Sequence, residues 1–166
     1  MSASRRYIAL ILPSATDSRI LLMDTPNSEA AARWSTEELR DRALLTPGAF
    51  VTTVHGATLN DASDTARHNA TAVYRAFHTP HVALAKNPGS WFVVYRNTSY
   101  DSGEFDLVKA IDAARISMEQ YRAFADYLAA SNQRAYLVDA STAAAALTEA
   151  QERFMDDLYE SFAATA

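Results

Sequence analysis

The sequence contains no cysteine and very few glycines. Without cysteine among its 166 residues, the chain cannot form disulfides, thiolate nucleophiles or cysteine-based zinc sites. That absence fits a reducing compartment, and no segment approaches the ~18 apolar residues of a membrane-spanning helix. The four glycines also limit the number of tight turns that need a positive φ. We therefore expect a soluble, cytoplasmic protein without a membrane partner.

Clustered basic charge is scarce as well. The formal net charge is −5, the isoelectric point is about 5.3, and the only basic run is the pair Arg5 and Arg6. Nucleic-acid binding requires a patch that neutralises phosphates, which here could arise only from arginines scattered along the chain. We therefore expect no nucleic-acid partner for this acidic protein.

The standard motifs of nucleotide binding and hydrolysis are also missing. The chain contains no G-x-G-x-x-G, Walker, G-x-S-x-G or H-E-x-x-H sequence. Phosphate binding through a glycine-rich loop and catalysis by a serine elbow are therefore excluded. Any active site must use residues that carry no family signature.

The pattern of apolar residues predicts a mixture of strands and helices. Apolar β-rich runs bounded by turn residues predict strands at 7–12, 19–24, 49–56, 81–86, 91–96 and 135–139. Capping residues predict a short helix from Ser28 and a second helix from Ser35, with Glu38 completing a capping box, that ends at about residue 46. Helical spacing predicts further helices around 60–77, 104–115 and 117–131, the last with a Ser117–Gln120 capping box. An alanine-rich helical segment and a final helix from Thr148 follow. Hairpins are expected at 7–24 and at Asn87–Ser90. The fold class is thus α/β or α+β, with one mixed sheet of about six strands, including two hairpins, packed by five or six helices.

The sequence shows no division into separate domains. Its length suits a single globular domain over residues 1–166. No internal repeat, low-complexity tract or linker is evident from the amino acids alone. We therefore predict one domain without duplication.

Three polar residues each close an apolar strand. These are Asp24 in ILLMDTP, His55 in TTVHG and Asp139 in AYLVDAS. If their strands are parallel neighbours, the three side chains meet at one edge of the sheet, where open α/β sheets bind ligands. Two carboxylates and an imidazole could there hold a divalent cation and activate water, with His55 as general base or ligand. The simpler alternative is that each aspartate caps the following turn.

The four histidines are concentrated in one short segment. His78 and His81 lie three apart around a proline, and His68 lies on the preceding predicted helix. Such a pair can reach one metal ion, so His78 and His81 are reserve metal ligands under the hydrolase hypothesis. The alternative for His78 is a favourable position at a helix C-terminus.

Aromatic residues cluster around the second predicted hairpin and on the last helix. Trp91, Tyr95, Tyr100 and Phe105 could line a pocket or a partner surface, or pack in the core between sheet and helices. The stripe Phe154, Leu158 and Phe162 has i, i+4, i+8 spacing. Such a stripe is either core or the seam of a homodimer.

Two classes of function remain, and the sequence favours the first. The first is a non-enzymatic binding or regulatory module that holds a protein partner or a small ligand. The second is a metal-dependent, phosphoester-type hydrolase that uses Asp24, His55 and Asp139, the only case in which a divalent metal cofactor is implied. A small acidic secretion-type chaperone, which would act as a dimer, also fits the charge and size.

Overall fold

The computed structural model describes residues 4–25, 29–78 and 89–165, which contain six strands and five helices. The strands are β1 (Arg5–Leu12), β2 (Arg19–Asp24), β3 (Phe50–Gly56), β4 (Gly89–Arg96), β5 (Leu107–Asp112) and β6 (Gln133–Ala140). The helices are α1 (Glu29–Leu44), α2 (Leu59–His78), α3 (Ser99–Ser102), α4 (Tyr121–Ala130) and α5 (Ala143–Thr165). The α+β class is confirmed.

The strands form two separate sheets, so the prediction of one six-stranded sheet was wrong. Each sheet has three antiparallel strands, in the orders β2-β1-β3 and β5-β4-β6. The strand patterns were sufficient to locate strands, but strand order depends on pairings between residues far apart in sequence. The first predicted hairpin is present as β1–β2. The predicted strand 81–86 and the first two residues of the predicted turn, Asn87 and Pro88, lie outside the described residues, whereas Gly89 and Ser90 belong to β4.

The chain divides into two compact units. The first combines residues 1–78 with 116–131, and the second combines 79–115 with 132–166. The chain therefore passes between the units three times. The single globular domain over residues 1–166 therefore stays a prediction.

In the first unit, helices cover both faces of the sheet. One face of β1 and β3 carries Ile8 and Val51, which pack against Leu39 and Ala43 of α1. The opposite face carries Tyr7, Ala9, Phe50 and Val54, and the helices on that side are α2 and α4. Alternating apolar residues in β1 and β3 thus explain why both faces are buried.

In the second unit, α5 packs on β4 and β6. The core consists of Trp91, Val93, Val138, Ala143, Ala146 and Ala150. The predicted final helix begins earlier than Thr148, because Thr142 caps it and the alanine-rich segment is its first turns. Phe154 of the predicted stripe is fully buried whereas Phe162 is exposed, so the stripe is core at its start only.

The chain contains an internal repeat that the amino acids did not reveal. Residues 5–78 follow the order β-β-α-β-α, and residues 89–165 follow the same order apart from the one-turn helix α3 between their first two strands. In both, the first strand lies between the second and the third. The helix α4 belongs to the second repeat by sequence but to the first compact unit by contacts. Tyr7 pairs with Asp24 and Val54, whereas Trp91 pairs with Asp112 and Val138. Tyr7 and Trp91, and likewise Val54 and Val138, lie 84 positions apart. The repeat is therefore one of topology and strand register, which the amino-acid pattern did not show.

The helices α2 and α5, which follow the third strand of each repeat, also begin 84 positions apart. Thr58 accepts the backbone N–H of Asp61 at 3.1 Å, and Thr142 accepts that of Ala145 at 3.0 Å, so each threonine is the N-cap of a helix. These threonines are also 84 positions apart. The buried alanines that follow, Ala62 and Ala146, keep the same spacing. Matching registers and caps identify the repeat, although few side chains are identical.

Two local predictions differ from the structure. Residues 107–112 form an edge strand rather than part of a helix, because pairing with β4 outweighs the helical spacing of Leu107, Val108 and Ile111. The helix predicted in two parts around Ser35 is one continuous helix, α1. The Ser117–Gln120 capping box is present as predicted.

Candidate functional site

The structure places Asp24 and His55 at the same end of the first sheet, but on opposite faces. Asp24 is paired with Tyr7, and Tyr7 with Val54. His55 is the next residue of β3 and therefore points to the other side, as successive strand residues do. β2 and β3 run in the same direction but are separated by β1, and the side chains of Asp24 and His55 do not converge.

The other predicted residues have local partners. Asp139 lies on β6 in the second unit and accepts the hydroxyl of Ser90 across the strand pair at 2.6 Å. His78 ends α2, where its Nε2 lies 3.2 Å from the hydroxyl of Tyr127. His81 lies outside the described residues. Among residues 4–25, 29–78 and 89–165, no group of three His, Asp or Glu side chains is arranged to hold a metal ion.

The first unit contains a polar cleft that is lined by none of these residues. It has a volume of about 350 Å³ and lies between α1 and α4 along β3. Four arginines from three elements line it: Arg6 of β1, Arg33 and Arg40 of α1, and Arg122 of α4. The remaining polar walls come from Thr25, Thr36, Thr52, Thr53 and Asp126. We refer to this cleft as the arginine pocket.

Three of the arginines have no counter-ion in the described part of the chain. The ion pairs found there are Arg42–Glu38, Arg67–Asp64, Arg96–Asp106, Arg122–Asp126 and Arg153–Glu149. None of them involves Arg6, Arg33 or Arg40. Like charges gathered in one cleft repel each other, and their field attracts anions from solution. In a protein of net charge −5, this concentration of positive charge is a local exception.

Asp126 is the one carboxylate of the arginine pocket, and it is already engaged. It accepts the Thr52 hydroxyl at 2.7 Å and Nε of Arg122 at 3.2 Å. Its side chain is only 18% exposed. Asp126 therefore fixes Arg122 and β3 in position and leaves the other three arginines uncompensated.

A buried hydroxyl also lies on the wall of the arginine pocket. Oγ1 of Thr25 is the only buried side-chain polar atom in the described segments that has no hydrogen-bond partner. An unsatisfied buried hydroxyl costs about 1–3 kcal/mol. Such cost is often tolerated where a ligand supplies the missing partner.

A second cavity continues from the arginine pocket. Its volume is about 530 Å³, and it shares Arg40, Val51 and Asp126 with the arginine pocket. Its walls are mostly apolar, comprising Ala43, Leu44, Pro47, Ala49, Phe50, Ala129 and Ala130. We refer to it as the apolar cavity. Together the two spaces form one groove with a basic end and an apolar end.

The second unit contains a different polar cluster, built from tyrosines. Tyr136 donates to Asp157 at 2.6 Å, and the hydroxyl of Tyr100 lies 3.2 Å from that of Tyr136 and 3.1 Å from that of Tyr95. Burial raises the pKa of Tyr95 to about 12, and burial followed by the hydrogen bond to Asp157 raises the pKa of Tyr136. These phenols therefore stay neutral at physiological pH.

The tyrosine cluster belongs to the core. Tyr95 stacks on Tyr136 with centroids 4.9 Å apart, and Phe154 contacts Tyr95, Tyr100 and Phe105 edge-on or tilted. Trp91 and Tyr95 are buried. The core interpretation of these aromatics thus agrees with the structure.

Sequence reasoning missed the arginine pocket because its members are widely separated. The one local signal is on α1, where Arg33, Thr36 and Arg40 follow i, i+3, i+7 spacing and share a helix face. Nothing in the sequence indicates that Arg6 and Arg122 join them. Their meeting depends on the pairing of β1 with β3 and on the position of α4.

Comparison with protein-family models, with curated proteins and with solved structures finds no match to this chain. In the ranges that the structure describes, no helix has the length and apolar character needed to span a bilayer.

Proposed function

We propose that the protein is a non-enzymatic binding module that holds an anionic group in the arginine pocket. The observation that carries this proposal is the convergence of Arg6, Arg33 and Arg40 on one cleft without a counter-ion among the described residues. Guanidinium groups present paired donors that match carboxylate and phosphate oxygens. The volume of the cleft is at the lower end of the range for small-molecule sites.

A binding role accounts for the contents of the cleft better than catalysis does. The arginine pocket contains no histidine, and its only carboxylate is occupied by Thr52 and Arg122. General acid–base chemistry needs a group that can exchange a proton near neutral pH, and arginine does not. What the cleft offers is positive charge, hydroxyls and fixed geometry.

The test is binding of simple anions at constant ionic strength. Calorimetry and thermal unfolding would be measured with inorganic phosphate, pyrophosphate and citrate against chloride. We expect at least one multivalent anion to raise the melting temperature, because a ligand that binds only the folded state stabilises it by mass action. Binding should weaken as salt screens the guanidinium charges.

Two arginines on the same helix provide the matched variants. Arg40 lines the arginine pocket, whereas Arg42 pairs with Glu38 outside it. We expect Arg40→Gln to weaken anion binding about tenfold, which corresponds to about 1.4 kcal/mol, and Arg42→Gln to leave it unchanged. Equal losses in both variants, or no response to any anion, would refute the proposal.

A further inference from the structure

We propose that the anionic group is carried by an extended acidic peptide that adds to the edge of β3 that faces away from β1. This inference rests on the proposed function, since the arginine pocket must first accept an anion. It goes further by naming the partner as a polypeptide, with backbone pairing along β3 and an apolar side chain in the apolar cavity.

The first observation is the edge of β3. This strand pairs with β1 on one side through seven consecutive residues without a register shift. On its other side, no described residue makes a backbone hydrogen bond to Phe50–Gly56. Such edges are templates for another strand, and proteins usually protect them with bulges, prolines or lysines. β3 has none of these.

The second observation is that the groove follows this edge. The apolar cavity is lined by Phe50 and Val51, and the arginine pocket by Val51, Thr52 and Thr53. Phe50 and Thr52 belong to one face of the sheet and Val51 and Thr53 to the other, so the groove opens along the edge itself. Helices α1 and α4 form its two walls. Four strand residues span about 13 Å, enough for a short extended peptide.

The third observation is the distribution of charge along the groove. An added strand would meet three guanidiniums near Thr53, which have no ion pair among the described residues, and apolar side chains near Phe50. Two carboxylates at alternate positions, which an extended strand directs to the same face, would neutralise most of this charge. An apolar residue two to four positions away would reach the apolar cavity. A second copy of the chain suits the edge less well, because edge-to-edge pairing of two β3 strands would place arginine pockets close together.

The experiment uses short labelled peptides and the full chain. Eight-residue peptides would carry two glutamates at alternate positions and a leucine placed two, three or four positions away, in either direction. Fluorescence anisotropy would give the affinities. We expect at least one peptide to bind about tenfold more tightly than its versions with alanine in place of leucine or of the glutamates.

Backbone pairing is tested by N-methylation of the best peptide. In an added strand, every second N–H faces β3 and the others face away. Methylation of one alternate set should abolish binding, and methylation of the other set should not. Equal tolerance of both sets would show that the peptide does not add to β3, and would overturn the inference.

Two neighbouring leucines provide the protein control. Leu44 lines the apolar cavity and is 79% exposed, whereas Leu45 is 85% exposed and is not among its lining residues. Because both are exposed, neither change should impair folding. We expect Leu44→Ser to lower the affinity for the leucine-containing peptide about fivefold, and Leu45→Ser to leave that affinity unchanged.

The outcomes separate the two proposals. If pyrophosphate or citrate binds, but no peptide binds more tightly with leucine than with alanine at that position, the peptide inference fails and the anion-binding function stands. If no anion binds, the proposed function fails. A dimer in solution that Thr53→Pro converts to monomer would assign the β3 edge to a second copy and overturn the peptide inference.

Discussion

The two repeats share a topology and differ in what they place at equivalent positions. Position 52 in the first repeat corresponds to position 136 in the second, and both side chains donate a hydroxyl to an aspartate. Thr52 and Asp126, the latter on α4 of the second repeat, border an arginine-lined cleft in the first unit. Tyr136 and Asp157 lie in an aromatic core in the second unit. Equivalent strand positions therefore border an open site in one unit and a filled core in the other.

The largest expected difference concerns core volume on α2 and α5. Ala70 and Phe154 occupy equivalent positions, and both are fully buried. Phe154→Ala should cost about 3–5 kcal/mol of unfolding free energy, because it removes a ring that contacts three other aromatics. Urea denaturation would measure it. Phe162→Ala on the same helix is the control, since Phe162 is 64% exposed and should change stability by less than about 0.5 kcal/mol.

The next comparison is at the end of the third strand of each repeat, where Gly56 corresponds to Ala140. A Cβ added at Gly56 would lie 2.6 Å from the backbone nitrogen of Ala62 and 2.9 Å from its Cα. Gly56→Ala should therefore destabilise the protein by about 1–3 kcal/mol. Ala140→Gly should cost only about 0.5–1 kcal/mol, through backbone entropy. Similar costs at both positions, measured by chemical denaturation, would contradict a tighter strand-to-helix turn in the first repeat.

The tyrosine cluster should make the second repeat sensitive to alkali. The folded state holds the phenolic protons of Tyr95 and Tyr136 more tightly than the unfolded chain, whose tyrosines have a pKa of about 10. This stabilisation is fully present below pH ~10 and is lost as the pH rises toward and beyond the pKa of about 12 of Tyr95. We expect Tyr136→Phe to cost about 1–2 kcal/mol at neutral pH and to make the alkaline decline shallower. An unchanged pH profile would contradict this assignment.

The smallest expected effect concerns the two helix N-caps, and it tests whether they are structurally equivalent. Thr58 and Thr142 cap helices at matching positions of the two repeats. Thr58→Ala and Thr142→Ala should each cost about 1 kcal/mol. Their effects should add in the double variant, because the caps share no partner. Thermal unfolding of the three variants would measure the costs, and a strong inequality would weaken the structural equivalence of the two caps.

Local features of the fold were predictable from the sequence, and long-range features were not. The strands, the first hairpin and the Ser117–Gln120 capping box depend on neighbouring residues, and the patterns located them. The division into two sheets depends on which strand pairs with which, and hydrophobic alternation is the same for either outcome. The repeat was invisible because registers and caps are retained while most side chains differ.

The candidate site shows the same limit. The sequence suggested that Asp24 and His55 meet only if their strands are parallel neighbours; both lie at one end of the first sheet, but their side chains point to opposite faces. The arginine pocket draws on β1, α1, β3 and α4, whose meeting no local pattern encodes. The arginines are far apart in sequence and have no distinctive neighbours, so they form a cluster only in the folded chain.

That path has a consequence for synthesis on the ribosome. The sheet of the first unit is complete once residue 56 has emerged, but one of its covering helices, α4, ends at residue 130. Phe50 meets Tyr127 of this helix at a centroid distance of 5.5 Å, and Thr52 meets Asp126. Until about 70 further residues follow β3, the nascent chain has neither this contact nor a finished arginine pocket. The protein thus acquires its proposed binding capacity late in translation, after most of the second repeat has been made.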